Sequence, residues 1–182
     1  TEIYTLSPTR RSSDLHIARQ PGCVLLDVRM PGMSGLELQL ELNRRGATLP
    51  LIFMSGHADV PIAVEAMQQG AFDFIQKPFR NDQLLECLHR ALAKDRETRE
   101  ELRHIDAIRT RIATLTSRER EVLLFLMQGK PNKVMALDLG VSQRTVEIHR
   151  ARVMEKMQAR SIAELVRMGT AVELGEEATA RS

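Results

Sequence analysis

Three polar residues in this chain each follow a short apolar run: Asp27 after Val24-Leu25-Leu26, Ser55 after Leu51-Ile52-Phe53-Met54, and Lys77 just beyond Ala71-Phe72-Asp73-Phe74-Ile75. A short apolar run that ends in a turn such as Val28-Arg29-Met30-Pro31-Gly32 reads as a buried parallel strand. Open α/β sheets place their chemistry at the C-terminal edge of such strands. A carboxylate, a hydroxyl and an ammonium on one edge suit phosphoryl transfer. A carboxylate can act as nucleophile and carry an acyl phosphate, but the transferring phosphoryl group needs cationic stabilisation from a metal and an ammonium.

Singly, each residue has a plainer role as turn former, helix cap or solvated charge. The joint pattern argues for function. In order and spacing, with Met30-Pro31-Gly32 and Lys77-Pro78-Phe79, the segment resembles the receiver domain of bacterial two-component response regulators. The resemblance implies that Asp27 is the phosphoacceptor, that Ser55 and Lys77 sense the phosphoryl group, and that Phe74 packs inward when Ser55 moves. It also implies a cis Lys77–Pro78 bond, which X-Pro peptides alone adopt cheaply. Arg29 and His57 stand where the family tunes phosphoryl lifetime, and a solvated-loop reading fits them equally.

A receiver of this family also uses Mg2+, held by the phosphoacceptor (Asp27), a backbone carbonyl (that of Arg29) and an acidic pair ending the first strand. A hard cation wants several oxygen ligands, carboxylates among them. Ahead of Asp27 only Glu2 and Asp14 are acidic, each isolated, so the remaining acidic ligands are missing from this chain. The first strands and helices of a receiver do not fit into what precedes Cys23. Thr5 to Leu15 lacks strand or helix periodicity and resembles translated sequencing adapter, with a disordered Ser/Thr/Arg/Pro tail as the other reading. The expectation is therefore an N-terminally truncated receiver. Loss of the first strand from a flavodoxin-like order leaves Val24 to Val28 on an unpaired apolar edge.

The 43% apolar and 27% charged composition is that of an ordinary globular protein, with no apolar stretch of membrane-span length. Cys23 and Cys87 make no metal-ligand spacing, and a reduced cytoplasmic protein is the simplest account. Six aromatics, Tyr4 and five Phe, are too few for a single-strand stacking platform. Helices are predicted from Gly35 to Arg45 and from Val60 to Gln69, ended by Gly46 and Gly70. Another starts near Asn81-Asp82 and is expected to bury Leu84, Leu85, Leu88 and Leu92. A mixed-charge run then reads as a solvent-exposed helical linker. Too few apolar positions persist through Asp95 to Glu101 to insist on a coiled coil.

Thr116 and Glu119 have capping-box spacing, and Asn132 after Pro131 reads as the cap of a short helix ended by Gly140. Ser142 caps the next helix. Two helices across a glycine turn are the signature of a helix-turn-helix. From Leu115-Thr116-Ser117-Arg118-Glu119 through Gln143-Arg144-Thr145-Val146-Glu147-Ile148-His149 to Leu165 the chain resembles the LuxR/FixJ type, departing mainly at Val134-Met135. Periodicity makes Val146, Val153 and Met157 the buried stripe and turns Arg144, Glu147, Ile148, Ala151 and Arg152 outward, toward bases and phosphates of the major groove. Gln143, Thr145 and Arg150 complete the DNA-binding set, with Arg150 nearer the buried stripe and expected to snorkel to a phosphate or pack structurally. The chain has net charge +2, yet Ser142 to Arg160 carries five Lys/Arg against two Glu, a phosphate-facing excess. The last helix, from Ser161 to Leu174, either pairs two such domains, as in the family, or completes the core.

The fold class expected is a partial flavodoxin-like α/β receiver, first strands missing, followed by an all-α LuxR-type helix-turn-helix. The boundaries are 1–15 tail, 16–93 receiver, 94–113 linker, 114–177 DNA-binding domain and 178–182 tail, and a fragment from about Ile112 is expected to fold alone. The implied function is a cytoplasmic response regulator, phosphorylated by a histidine kinase, homodimeric when phosphorylated through the face around Val60 to Ile75, and bound to promoter DNA, with RNA polymerase a further partner. It is not an enzyme in the ordinary sense. A module that binds DNA or dimerises without phosphorylation is the alternative. A receiver-controlled enzyme is disfavoured, since no nucleophile–base or metal constellation follows Leu115.

Overall fold

The computed structural model describes residues 2–6, 20–30, 32–56 and 60–180; His57, Pro31, Asp14 and the rest of the expected tail beyond Leu6 lie outside the described residues. The chain divides into two compact units, one ending at Glu100 and the other beginning at Glu101.

The first unit is built around strand β2, Gly22–Asp27, whose residues Cys23 to Leu26 are all buried. Side chains of a strand alternate between faces. Val24 and Leu26 accordingly join one apolar cluster, while Cys23 and Leu25 join another. Strand β3, Leu51–Ser55, pairs parallel with β2, and β4, Asp73–Gln76, pairs parallel with β3. Helices α1, Gly35–Arg44, and α2, Val60–Gln68, cover the first face with Leu42 and Ala66. Helix α3, Asn81–Ala113, covers the second with Cys87, Leu88 and Ala91. Such two-sided cover is what an all-parallel sheet requires.

Two expectations for this unit are corrected. The edge of β2 is not bare: Glu2–Leu6 forms strand β1 and pairs parallel with β2, Glu2 opposite Gly22 and Leu6 opposite Leu26. Tyr4 and the β-branched Ile3 and Thr5 favour an extended backbone, a signal hidden by the polar run that follows. Leu85 is not core but 54% exposed; Cys87 and Ala91 take the buried stripe with Leu88, and Leu84 and Leu92 are half-buried.

The 94–113 stretch also differs from a solvated linker at both ends. The Asp95 carboxylate is buried and accepts from the Gly22 backbone N–H at 3.0 Å and from Arg99 Nε at 2.9 Å, while Arg99 also donates to the Gln20 carbonyl. That clasp fastens the start of β2 to α3. Further along, Ile108 is fully buried in the core of the second unit, with Ile105 and Ile112 packed against it. A fragment starting at Ile112 would leave Ile108 behind.

The second unit joins α4, Ser117–Met127, α5, Asn132–Leu139, α6, Gln143–Met157, and α7, Ile162–Ala180, which runs past the expected end at residue 177. Val122, Met135, Val146, Val153 and Leu165 form its centre.

An alanine scan of α3 tests these assignments by denaturant unfolding. Ile108→Ala is expected to cost about 3 kcal/mol by leaving a cavity, and Asp95→Ala a similar amount, about 3 kcal/mol, by breaking a buried ion pair. Leu102→Ala, at a 43%-exposed position between them, should stay within about 0.5 kcal/mol of the parent.

Candidate phosphoacceptor edge and nucleic-acid interface

The C-terminal edge of the sheet brings together the polar residues that end the strands. Asp27 closes β2, Ser55 closes β3, and Lys77 follows β4 directly. Lys77 Nζ lies 2.7 Å from Asp27 Oδ2, and Asp27 Oδ1 accepts from the Arg29 backbone N–H at 3.3 Å. The Lys77 backbone N–H donates to the Ser55 carbonyl at 2.6 Å and Val28 N–H to the Met54 carbonyl at 3.0 Å, so backbone bonds fix the loops that carry these side chains. Burial pulls the Asp27 carboxyl upward, but the Lys77 ammonium and the backbone N–H groups of Arg29 and Val28 outweigh it, and the net direction is down. Lys77–Pro78 is cis, as expected.

Ser55 is buried at 2% exposure, and Phe74, opposite Phe53 on β4, is half-buried against the cluster beneath α1 and α2. Gly35 supports Asp27 from behind. A Cβ at Gly35 would stand 2.7 Å from the Asp27 carbonyl oxygen and 2.9 Å from the Phe53 ring. The capping box of Ser34 and Glu37 fixes the start of α1 at this point. The Asp27 carboxylate and the Arg29 carbonyl alone do not make a Mg2+ site, and the described residues contain no group of three or more His, Cys, Asp or Glu able to hold a metal ion.

In the second unit α5 and α6 meet across Gly140, whose left-handed φ of 66° suits glycine. Ser142 caps α6 by accepting from Thr145 N–H at 3.1 Å. Val146, Val153 and Met157 are buried, as the periodicity requires, while Gln143, Arg144, Glu147, Ile148, Ala151 and Arg152 are exposed and Thr145 and Arg150 half-exposed. Asn132 is not the cap of α5: Pro131 holds that position without a side-chain bond, and Asn132 instead accepts from Arg150. Arg150 thus packs structurally and joins the two helices of the motif.

Sequence reasoning missed one buried ion pair here, because its partners lie far apart in the chain. Glu119, 2% exposed, accepts from Lys156 Nζ at 2.7 Å, and Lys156 also donates to the Thr114 carbonyl at 3.1 Å. The foot of α6 is thereby tied to the junction of α3 and α4. The Lys156 ammonium first, and the Thr116 backbone N–H second, hold the Glu119 carboxyl down at about 2 against the pull of its burial. On α7, Leu165, Met168 and Val172 are buried in the core and Ile162 stays 41% exposed, so residues 162–172 of this helix in large part complete the core.

The response regulator receiver domain family matches residues 5–89, and the luxR family of bacterial regulatory proteins matches residues 113–169. The transcriptional regulatory protein FixJ of Azorhizobium caulinodans is 49% identical over 155 residues, which span 85% of this chain and 74% of that one. The chain belongs to the response regulators. Within that family, nodulation protein W of Bradyrhizobium diazoefficiens is 42% identical over 92% of this chain and 74% of its own. Among solved structures, the response regulator StyR matches with a TM-score of 0.76 at 31% identity, covering 92% of this chain and 97% of that one. Full-length FixJ from B. japonicum matches with 0.51 at 34% identity over 94% and 97%. This response regulator thus joins a receiver to a luxR-type DNA-binding domain and acts in transcription.

Two measurements follow from the geometry. Gly35→Ala forces a Cβ against backbone that cannot swing away and should lower the stability of the receiver by about 2 kcal/mol, read from denaturant midpoints. For Glu119 the folded-state value lies below the unfolded one, so its stabilisation is complete above pH about 4.5 and is lost as pH falls toward about 2. Glu119→Gln should therefore show a smaller acid loss of stability over that window than the parent protein, in unfolding titrations at a series of pH values.

Proposed function

We propose that this response regulator accepts a phosphoryl group on Asp27 from a partner histidine kinase and thereby controls promoter binding by α6. An Asp27 carboxylate oxygen attacks phosphorus, the bond to the donor's histidine nitrogen breaks, and its electron pair returns to the imidazole. The Lys77 ammonium, already 2.7 Å from Asp27, meets the charge on the incoming group. The hydroxyl of Ser55 and the ring of Phe74 are the elements that register its arrival. The direct Asp27–Lys77 contact is the observation that carries this half of the reading.

Partners follow from surfaces. Helix α2 exposes Val60 at 65%, Val64 at 50% and Met67 at 47%, a stripe at helical spacing that supports homodimerisation of the phosphorylated protein through this face. On α6 the exposed face of Arg144, Glu147, Ile148, Ala151 and Arg152 supports insertion into the major groove of duplex DNA. RNA polymerase is the further partner that control of transcription requires. No described helix is long and apolar enough to cross a membrane, and a cytoplasmic location suits both kinase and promoter. The chain regulates rather than turns over a substrate.

Fluorescence anisotropy with duplex promoter DNA tests the reading. Affinity should fall steeply with salt. Arg144→Ala and Arg152→Ala should each weaken binding by roughly tenfold, while Glu147→Ala should shift base preference more than affinity. Val153→Asp should unfold the domain instead of altering specificity. Salt-independent binding, or binding indifferent to the two arginines, would remove α6 from the groove.

A further inference from the structure

Both oxygens of Asp27 already have partners, Lys77 Nζ on Oδ2 and the Arg29 N–H on Oδ1. A divalent cation against this carboxylate would need further anionic oxygens, and the neighbouring strand has to supply them. Here β1 is that neighbour, and its register decides what it brings. Glu2, the one carboxylate of β1, stands opposite Gly22. Five residues separate that row from Asp27, roughly 16 Å at the rise of a strand. At the Asp27 end β1 delivers Thr5 and Leu6, opposite Leu25 and Leu26, and the sequence continues Ser7-Pro8-Thr9. No carboxylate comes from β1 at this edge.

The charge balance points the same way. Asp27 and Lys77 form a one-to-one pair, so the edge lacks the surplus negative charge that draws a dication out of water. Mg2+ keeps several of its waters, so its affinity rests on the few anionic oxygens a protein adds, and here the Asp27 carboxylate is already paired with the Lys77 ammonium. From β3 the edge gains a hydroxyl, Ser55, and from the segment after β4 an ammonium. Among the described residues, β1, β3 and the segment after β4 thus supply no anionic ligand to this edge beyond Asp27 itself.

We infer that the Asp27 edge of this chain binds no divalent cation and that Lys77 is its resident counter-cation. The inference concerns the same edge as the proposed phosphoryl acceptance, and it is read from binding equilibria, so the two can fail separately. Acyl phosphate formed with acetyl phosphate and lost in Asp27→Asn would support Asp27 as acceptor, and its absence in the parent as well would count against the proposed acceptance while leaving the cation result standing.

The test uses the full chain with Mn2+ as probe, counting the free ion by its electron paramagnetic resonance signal. The parent protein and Asp27→Asn should leave the same free Mn2+ at every concentration. Saturable uptake by the parent that Asp27→Asn abolishes would overturn the inference. A second measurement follows the Asp27 carboxyl carbon by NMR across pH. In Lys77→Gln it should titrate at higher pH than in the parent, and added Mg2+ should leave that titration where it is. A return to the parent curve on adding Mg2+ would equally overturn it. Salt-dependent DNA binding by the same preparations reports separately on the other unit.

Discussion

Strand β2 imposes the constraint on which the receiver unit rests. Its side chains are buried on both faces, so neither face can turn to water and its backbone polar groups must find partners in the sheet. β3 satisfies one side. The other is met by Glu2–Leu6, which extends alongside β2 in parallel register. With both edges paired and both faces covered, the one direction left open is along the strand, and at that open end stands Asp27. The Asp27 carboxylate is half-exposed because everything behind it is closed.

The same logic governs α3. A helix whose middle is exposed and polar gains little from its own hydrogen bonds in water, and tertiary contacts have to hold it. Asp95 and Arg99 hold it to the entrance of β2, and Ile108 holds it in the helical core. Each unit therefore owns part of one continuous helix. The anchor in the first unit lies at the opposite end of β2 from Asp27, so the strand is gripped at its base and left polar at its tip.

Much of this was legible in the sequence, for identifiable reasons. Apolar runs closed by Asp27 and Ser55 announce parallel strands because burial on both faces forbids alternation. The sorting of α6 into Val146, Val153 and Met157 inside and Arg144, Glu147 and Arg152 outside follows from helical geometry alone. What escaped depended on pairing between distant residues. β1 is too short to show a period, and its partner is what makes it a strand. Asp95 looks like one more charge in a charged run until Gly22, 73 residues away, donates to it. Glu119 has the spacing of a capping residue and is one, but no local pattern discloses Lys156. Asn132 has the composition of a cap, and the long reach of Arg150 claimed its side chain first.

That last contact separates two jobs within the helix-turn-helix. The angle between α5 and α6 is held by Arg150 on Asn132 and by the buried valines, whereas the outward residues of α6 are exposed. Framework and exposed face share one helix but no side chains. Drift at positions 144, 147, 148, 151 and 152 therefore carries little structural penalty, and with α6 in the groove as proposed, such a regulator can be retargeted to a new operator over evolutionary time while its scaffold stays under unchanged selection.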